Sequence, residues 1–321
     1  METTFDRTLR ENNPAEECTD QRLKITMLGA LEVLRDGKVL QAHQLGGPKA
    51  RQILEILLLH LGTPVSKKLL IDLLWDGHAP QAAVSTLESY VSVLRSCLQP
   101  GSGRNGVLKT TTGGYLIEAS AVDVDLMRFD ELVRHAGTLP DAQAHACLGQ
   151  ALALAAGPLL GSELLPEWAE TERRIHAARV TIVMAQSAEL ALRLGLHAEA
   201  AERAQTVLDS DPLNEQAWSV LVLAFEASRN PVEGLRAYER CRVVLGRELG
   251  CTPGVVLRSA QHRLLNATCE LDDDFARVIH ALLAIHGVIE GKHAPHDAAH
   301  GLKAAGNVLT GYLYRAQQLC A

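Results

Sequence analysis

Between residues 23 and 119 the chain is cut by turn-forming residues into short pieces, and the period of the apolar positions changes from one piece to the next. No long helix and no uniform sheet fits such a stretch. Residues 23–42, "LKITMLGALEVLRDGKVLQA", alternate apolar and polar positions around Asp36-Gly37, a pair that tolerates positive φ and predicts an antiparallel hairpin. Pro48 opens "PKARQILEILLLHLG", where Ile53, Leu54, Leu57, Leu58 and Leu61 recur at helical spacing and Gly62 supplies the stop. Ser66 stands as N-cap before "KKLLIDLLW", a second, shorter helix with Leu69, Leu70, Leu73 and Leu74 expected to face inward.

Gly77 and Pro80 then interrupt the chain before "QAAVSTLESYVSVLRSCL". Leu87, Val91, Leu94 and Leu98 fall on one helical face. At about 100° per residue the opposite face carries Ser85, Ser89, Ser92 and Ser96, with Glu88 and Arg95 on its flank. Small hydroxyls leave such a helix slim enough to lie deep in a major groove, although a polar stripe by itself is also the wet face of an ordinary helix. The segment from Thr110 to Gly114 turns between "VLK" and "YLI", two short runs of β-formers. Sheet, three helices and hairpin in this order make a winged helix-turn-helix, an α+β module. Within that frame the serine stripe is the groove-facing surface.

From Asp125 onward nearly all of the chain reads as helix: "VDLMRFDELVRHAG", "DAQAHACLGQALALA", "EWAETERRIHAARVTIVMAQSAELALRLG" and "HAEAAERAQTVLDSDP" are each periodic and each punctuated by Gly or Pro. "HAEAAERA" from His197 recurs as "PVEGLRAY" from Pro231, near the 34-residue tetratricopeptide period. Ala200, Ala201 and Ala204 then correspond to Gly234, Leu235 and Tyr238, positions where paired helices interlock. Stacked helix pairs present a curved surface to other proteins. The expected fold is mainly α: a winged helix-turn-helix at 23–119 and an all-α, tetratricopeptide-like repeat domain at 120–268. A polar, disordered leader is expected at 1–22 and a helical extension at 269–321.

"VSKKLLIDLLW", "STLESYVSVLRSCL" and "LKTTTGGYLI" resemble the second helix, recognition helix and wing of the OmpR-type DNA-binding domain. "VDVDLMRFDELVRHA" and "YERCRVVLGRELGCTP" resemble the opening and closing signatures of the bacterial transcriptional activator domain. In this order the two are similar to the Streptomyces antibiotic regulatory proteins, over roughly residues 23–268. The resemblance implies a cytoplasmic, non-enzymatic activator of a secondary-metabolite gene cluster. It further implies double-stranded promoter DNA with direct repeats, bound by side-by-side protomers, and RNA polymerase with its sigma factor as partners. Arg95 is the foremost contact candidate, able to pair with guanine or grip a phosphate. Tyr90 lies nearer the apolar face, its hydroxyl in reach of a phosphate. Lys109, Thr110, Thr111 and Thr112 place the wing against the DNA backbone or minor groove, with Arg104 as a further phosphate contact. Lys67 and Lys68 follow the Ser66 cap, where helix amides and ammonium groups can meet one phosphate. The chain departs from the family at Val93 and Ser96, where members often carry basic residues. That departure supports an alternative, an interaction scaffold with a degenerate winged helix; another is a helical-repeat sensor of a ligand or partner.

The net charge of −7 over 321 residues needs apportioning for a DNA binder. Residues 23–119 hold ten Lys and Arg against seven Asp and Glu, a net of +3, while the flanking parts are acidic. So small an excess implies few phosphate contacts per protomer and hence help from a second protomer or from polymerase. The apolar runs are too short to span a bilayer, so no membrane partner is expected. Seven scattered cysteines without a C-x-x-C pair point to reduced thiols. Gly101-x-Gly103-x-x-Gly106 follows a helix rather than a strand, the reverse of a dinucleotide fingerprint. "GVIEGK" lacks the Ser/Thr of a phosphate loop. His293, His296, Asp297 and His300 have metal-like spacing, but Pro295 separates the first from the helix of the others, and solvated histidines are the expectation. No cofactor, metal or chemical step is expected.

Overall fold

The computed structural model describes residues 22–40, 43–100, 106–162, 166–267 and 310. The leader up to residue 21, Arg104, and the extension apart from Thr310, including His293, His296 and His300, lie outside the described residues. Two compact units interleave along the sequence: Met1–Arg128 with Ala156–Arg173, and Phe129–Ala155 with Arg174–Ala321.

The first unit contains β1 (Leu23–Thr26), β2 (Glu32–Arg35), β3 (Lys38–Leu40), α1 (Pro48–Leu59), β4 (Val65–Ser66), α2 (Lys67–Trp75), α3 (Ala83–Leu98), β5 (Leu108–Thr111), β6 (Gly114–Ile117) and β7 (Val122–Val124). The expected hairpin closes at Asp36-Gly37, at φ of 48° and 75°, and pairs Arg35 with Lys38. The sheet is mixed rather than antiparallel throughout. β7 runs parallel to β1, with Leu23 opposite Val122 and Ile25 opposite Val124, in the order β3-β2-β1-β7.

Asp125, directly after β7, explains how so short a strand is held. Its carboxylate accepts from the amides of Met27 (2.8 and 3.0 Å), Leu28 (3.0 Å) and Leu126 (2.8 Å). It satisfies backbone donors at the end of β1 and stands at the positive end of the next helix. Residues 156–161 return to the same edge: Gly29 N–H donates to the Pro158 carbonyl (2.9 Å), and Leu160 and Gly161 donate to the carbonyls of Met27 and Gly29 (2.9 and 2.7 Å). A Cβ on Gly161 would come within 2.9 Å of the Gly29 oxygen, so the approach requires glycine.

α1 starts at Pro48 and buries Ile53, Leu54, Leu57 and Leu58 as expected. The Ser66 hydroxyl caps α2 by accepting from the Leu69 amide (3.1 Å). Only one stripe of α2 faces inward: Leu70 and Leu74 are buried, whereas Leu69 is 41% exposed and Leu73 half-buried. The expectation of four inward leucines is therefore corrected, since neighbouring residues stand about 100° apart and a nine-residue helix with a single packed side buries only the i, i+4 pair. The wing also differs from expectation. Its strands reach Thr111 and Gly114, leaving Thr112-Gly113 as the turn, and β4 adds a third strand in the order β4-β6-β5.

The second unit is helical. Its elements are α4 (Asp125–Ala136) and α6 (Glu167–Arg193), whose first residues belong to the first unit, with α5 (Asp141–Leu154), α7 (His197–Ser210), α8 (Glu215–Ala227) and α9 (Pro231–Leu249). Residues 255–267 form a further helical run. Ala200, Ala204, Trp218, Leu221, Ala237, Tyr238, Cys241, Leu257 and Leu264 share one core. The 34-residue correspondence holds in burial: Ala200 and Gly234 are buried, Ala201 and Leu235 half-buried, Ala204 and Tyr238 buried. Gly234 lies against Leu264, where a Cβ would approach to 2.8 Å, which is why a small residue stands there. Burial pushes the Cys241 thiol up to about 12, and the four described cysteines are free. No helix among the described residues is long and apolar enough to cross a membrane.

Candidate nucleic-acid interface

α3 packs on the first unit through Leu87, Val91, Leu94 and Leu98, each at most 1% exposed. Its other side carries Ser85, Ser89, Ser92 and Ser96, all exposed. Ser85 Oγ donates to the Ala82 carbonyl (3.0 Å), Ser89 Oγ to Ser85 (3.0 Å) and Ser96 Oγ to Ser92 (3.1 Å). Folded back on their own helix, these hydroxyls keep the surface slim and turn lone pairs outward. Tyr90 is half-buried on one flank. Val93 is 42% exposed.

The opposite flank is tied to the wing. Arg95 Nε donates to the Leu108 carbonyl (3.0 Å) and Nη2 to Thr110 Oγ1 (2.5 Å), with its guanidinium 5.8 Å from the centre of the Tyr115 ring. Lys67 Nζ lies 5.7 Å from the same ring and 2.6 Å from Glu88 Oε1. Two cations thus bracket one buried tyrosine, 3% exposed, whose ring favours both. The hydrogen bond from Lys67 to Glu88, reinforced by Tyr115, holds the Lys67 ammonium above its ordinary range. The Lys67 amide also donates to the Gly113 carbonyl (2.9 Å), joining the start of α2 to the turn of the wing.

The structure therefore brings Lys67, Arg95 and Thr110 together with the serine stripe along one side of the unit. Thr110 and Thr112 are exposed and Thr111 is half-buried. Lys109 donates to Glu118 Oε2 (2.5 Å), and that bond lowers the Glu118 carboxyl below its usual value. Lys68 is exposed. Tyr115 and Glu118 carry no local sequence signature of these roles, and helix phase alone sets Glu88 only on the flank of the serine stripe. A two-residue turn at Thr112-Gly113 was the available signal, because that register sets Thr110 opposite Tyr115.

Residues 42–117 match the family described as "Transcriptional regulatory protein, C terminal", and residues 124–265 match "Bacterial transcriptional activator domain". The regulatory protein DnrI of Streptomyces peucetius is 30% identical over 267 residues, which cover 78% of this chain and 94% of DnrI. The chain belongs to the Streptomyces antibiotic regulatory protein family. The regulatory protein AfsR of Streptomyces coelicolor is 33% identical over 266 residues, 80% of this chain but 26% of AfsR, so the chain spans about a quarter of that relative's length. A solved structure of Mycobacterium tuberculosis EmbR in complex with a low-affinity phosphopeptide is similar at a TM-score of 0.67 and 27% identity, covering 81% of this chain and 71% of that one.

Proposed function

We propose that this family member activates a secondary-metabolite biosynthetic gene cluster from the cytoplasm, by binding direct repeats in promoter DNA and recruiting RNA polymerase through its sigma factor. Residues 23–119 read the DNA and residues 120–268 serve activation, in protomers arranged side by side on successive repeats. The observation that supports this most is the exposed serine face of α3, edged by Lys67, Arg95 and the wing threonines. Such a helix can enter the major groove, with Ser85, Ser89, Ser92 and Ser96 near base edges and Lys67, Lys68, Lys109 and the wing at phosphates. Few cations edge this face and three of them have internal partners, so a single protomer binds weakly and paired protomers supply the remaining affinity. The proposal requires no chemical step. A titration of full-length protein against duplexes carrying tandem repeats, at several salt concentrations, tests it: binding is specific, salt-dependent and stronger on two repeats than on one.

One observation favours a second reading, control by a small molecule. A cavity of about 400 Å³ in the second unit is floored by Ala136, Ala144, Leu148 and Leu190 and edged by Gln186 and Arg193. Asp141, paired with Arg193, and Glu189 also line it, so the polar side of the cavity suits a small ligand that carries hydrogen-bonding groups. A compound that raises the melting temperature and changes DNA affinity would support this reading.

A further inference from the structure

Glu88 is an acidic side chain where a DNA-facing surface would be expected to avoid one. It lies on α3 between Ser85 and Ser89, and about 60° from Ser85 around the helix axis. Its side chain is 51% exposed, and its only hydrogen bond among the described residues is the one that Oε1 accepts from Lys67. An exposed ion pair of this kind contributes little to folding, so its placement calls for another account. In the major groove a carboxylate can accept from the amino groups of cytosine and adenine, and cytosine suits it better because the N7 acceptor beside the adenine amino group repels a group that only accepts. Near phosphates it is repelled unless a cation accompanies it, and Lys67 does so at 2.6 Å. Lys67 engages Oε1, which leaves Oε2 as an acceptor for another donor.

We propose that Glu88 is a specificity-determining residue, which accepts a hydrogen bond from the N4 amino group of a cytosine while Lys67 neutralises and orients it. This rests on the reading that α3 enters the major groove. Pairing also divides Lys67 between Glu88 and the DNA backbone, so Glu88 exchanges part of the general affinity for discrimination at one base pair.

The test selects binding sites from randomised duplexes with full-length wild-type protein, E88A and E88Q, and then measures affinities on the selected site and on unrelated DNA. Wild type requires cytosine at one position of its motif. E88A loses that preference, with discrimination at that position falling on the order of tenfold, and binds unrelated DNA more tightly because Lys67 is released to a phosphate. E88Q gains acceptance of adenine there, because an amide can both accept from N6 and donate to N7. Glu88 is exposed, and circular dichroism checks that both variants fold. Identical motifs for all three proteins overturn the proposal, as does a uniform loss of affinity with the motif unchanged, which assigns the pair to positioning α3. If wild type selects no motif at all, the groove reading itself fails, and that result is distinct from the other two.

Discussion

Arg95 joins two elements with one guanidinium: a backbone carbonyl and a threonine hydroxyl of β5 on its donors, and the Tyr115 ring against its face. Replacing it with alanine removes a cation from the interface and uncouples α3 from the wing. Specific binding of a repeat duplex is expected to weaken by about 1–3 kcal/mol. Arg95→Lys does not restore it, since an ammonium has no planar fork to reach both acceptors and cover the ring. Undiminished binding by Arg95→Ala removes the residue from the interface. Lys109 is tied to Glu118 rather than extended. Lys109→Ala should flatten the slope of log K against log salt by about one unit, and Glu118→Gln should strengthen specific and non-specific binding alike; unchanged slopes in both place the pair outside the interface. Hydrogen bonds lower the carboxyls of Glu118 through Lys109, Asp141 through Arg193 and Glu239 through Arg242. Groups lowered on folding stabilise at pH values above their unfolded range, about 4, and lose that contribution as pH falls through the lower folded values. Urea midpoints are therefore expected to fall below about pH 4, less steeply in Asp141→Asn. Coincident profiles for this variant and wild type would show that its pair with Arg193 contributes nothing.

At the scale of elements, β7 and the return at 156–161 make the N-terminal sheet depend on chain that follows the winged helix. Asp125→Ala leaves the amides of Met27 and Leu28 without their carboxylate partner, and a cost of about 1–3 kcal/mol follows. Amide exchange at Met27 and Leu28 measures it; protection equal to wild type would contradict the account. A fragment ending at Ala119 lacks both features and is a poor stand-in for the DNA-binding part. The elements with a strong local signature were legible in the sequence: the Asp36-Gly37 hairpin, the Pro48 start, the Ser66 cap, the Leu87 to Leu98 stripe and the 34-residue repeat are each written in neighbouring residues. β7 and β4 were not, because strands of three and two residues carry no period of their own and exist through pairing with distant β1 and β6. The interface was half legible for the same reason. Helix phase exposes the serines, but the partners of Lys67, Arg95 and Lys109 depend on how α2, α3 and the wing meet.

At the scale of the molecule, the chain belongs to the Streptomyces antibiotic regulatory protein family, and under the proposed DNA-binding function the small positive excess of the winged-helix part makes cooperation between protomers the means of reaching useful affinity. Direct repeats spaced by one helical turn put successive protomers on the same face of the duplex. The most direct measurement is the affinity of the full-length protein for two such repeats, compared with one repeat and with two repeats separated by an extra half turn, about five base pairs. The account predicts tightest binding to the phased pair, with the inserted half turn reducing affinity to that of a single repeat. Equal affinity for all three duplexes, or for unrelated DNA of the same length, would contradict it.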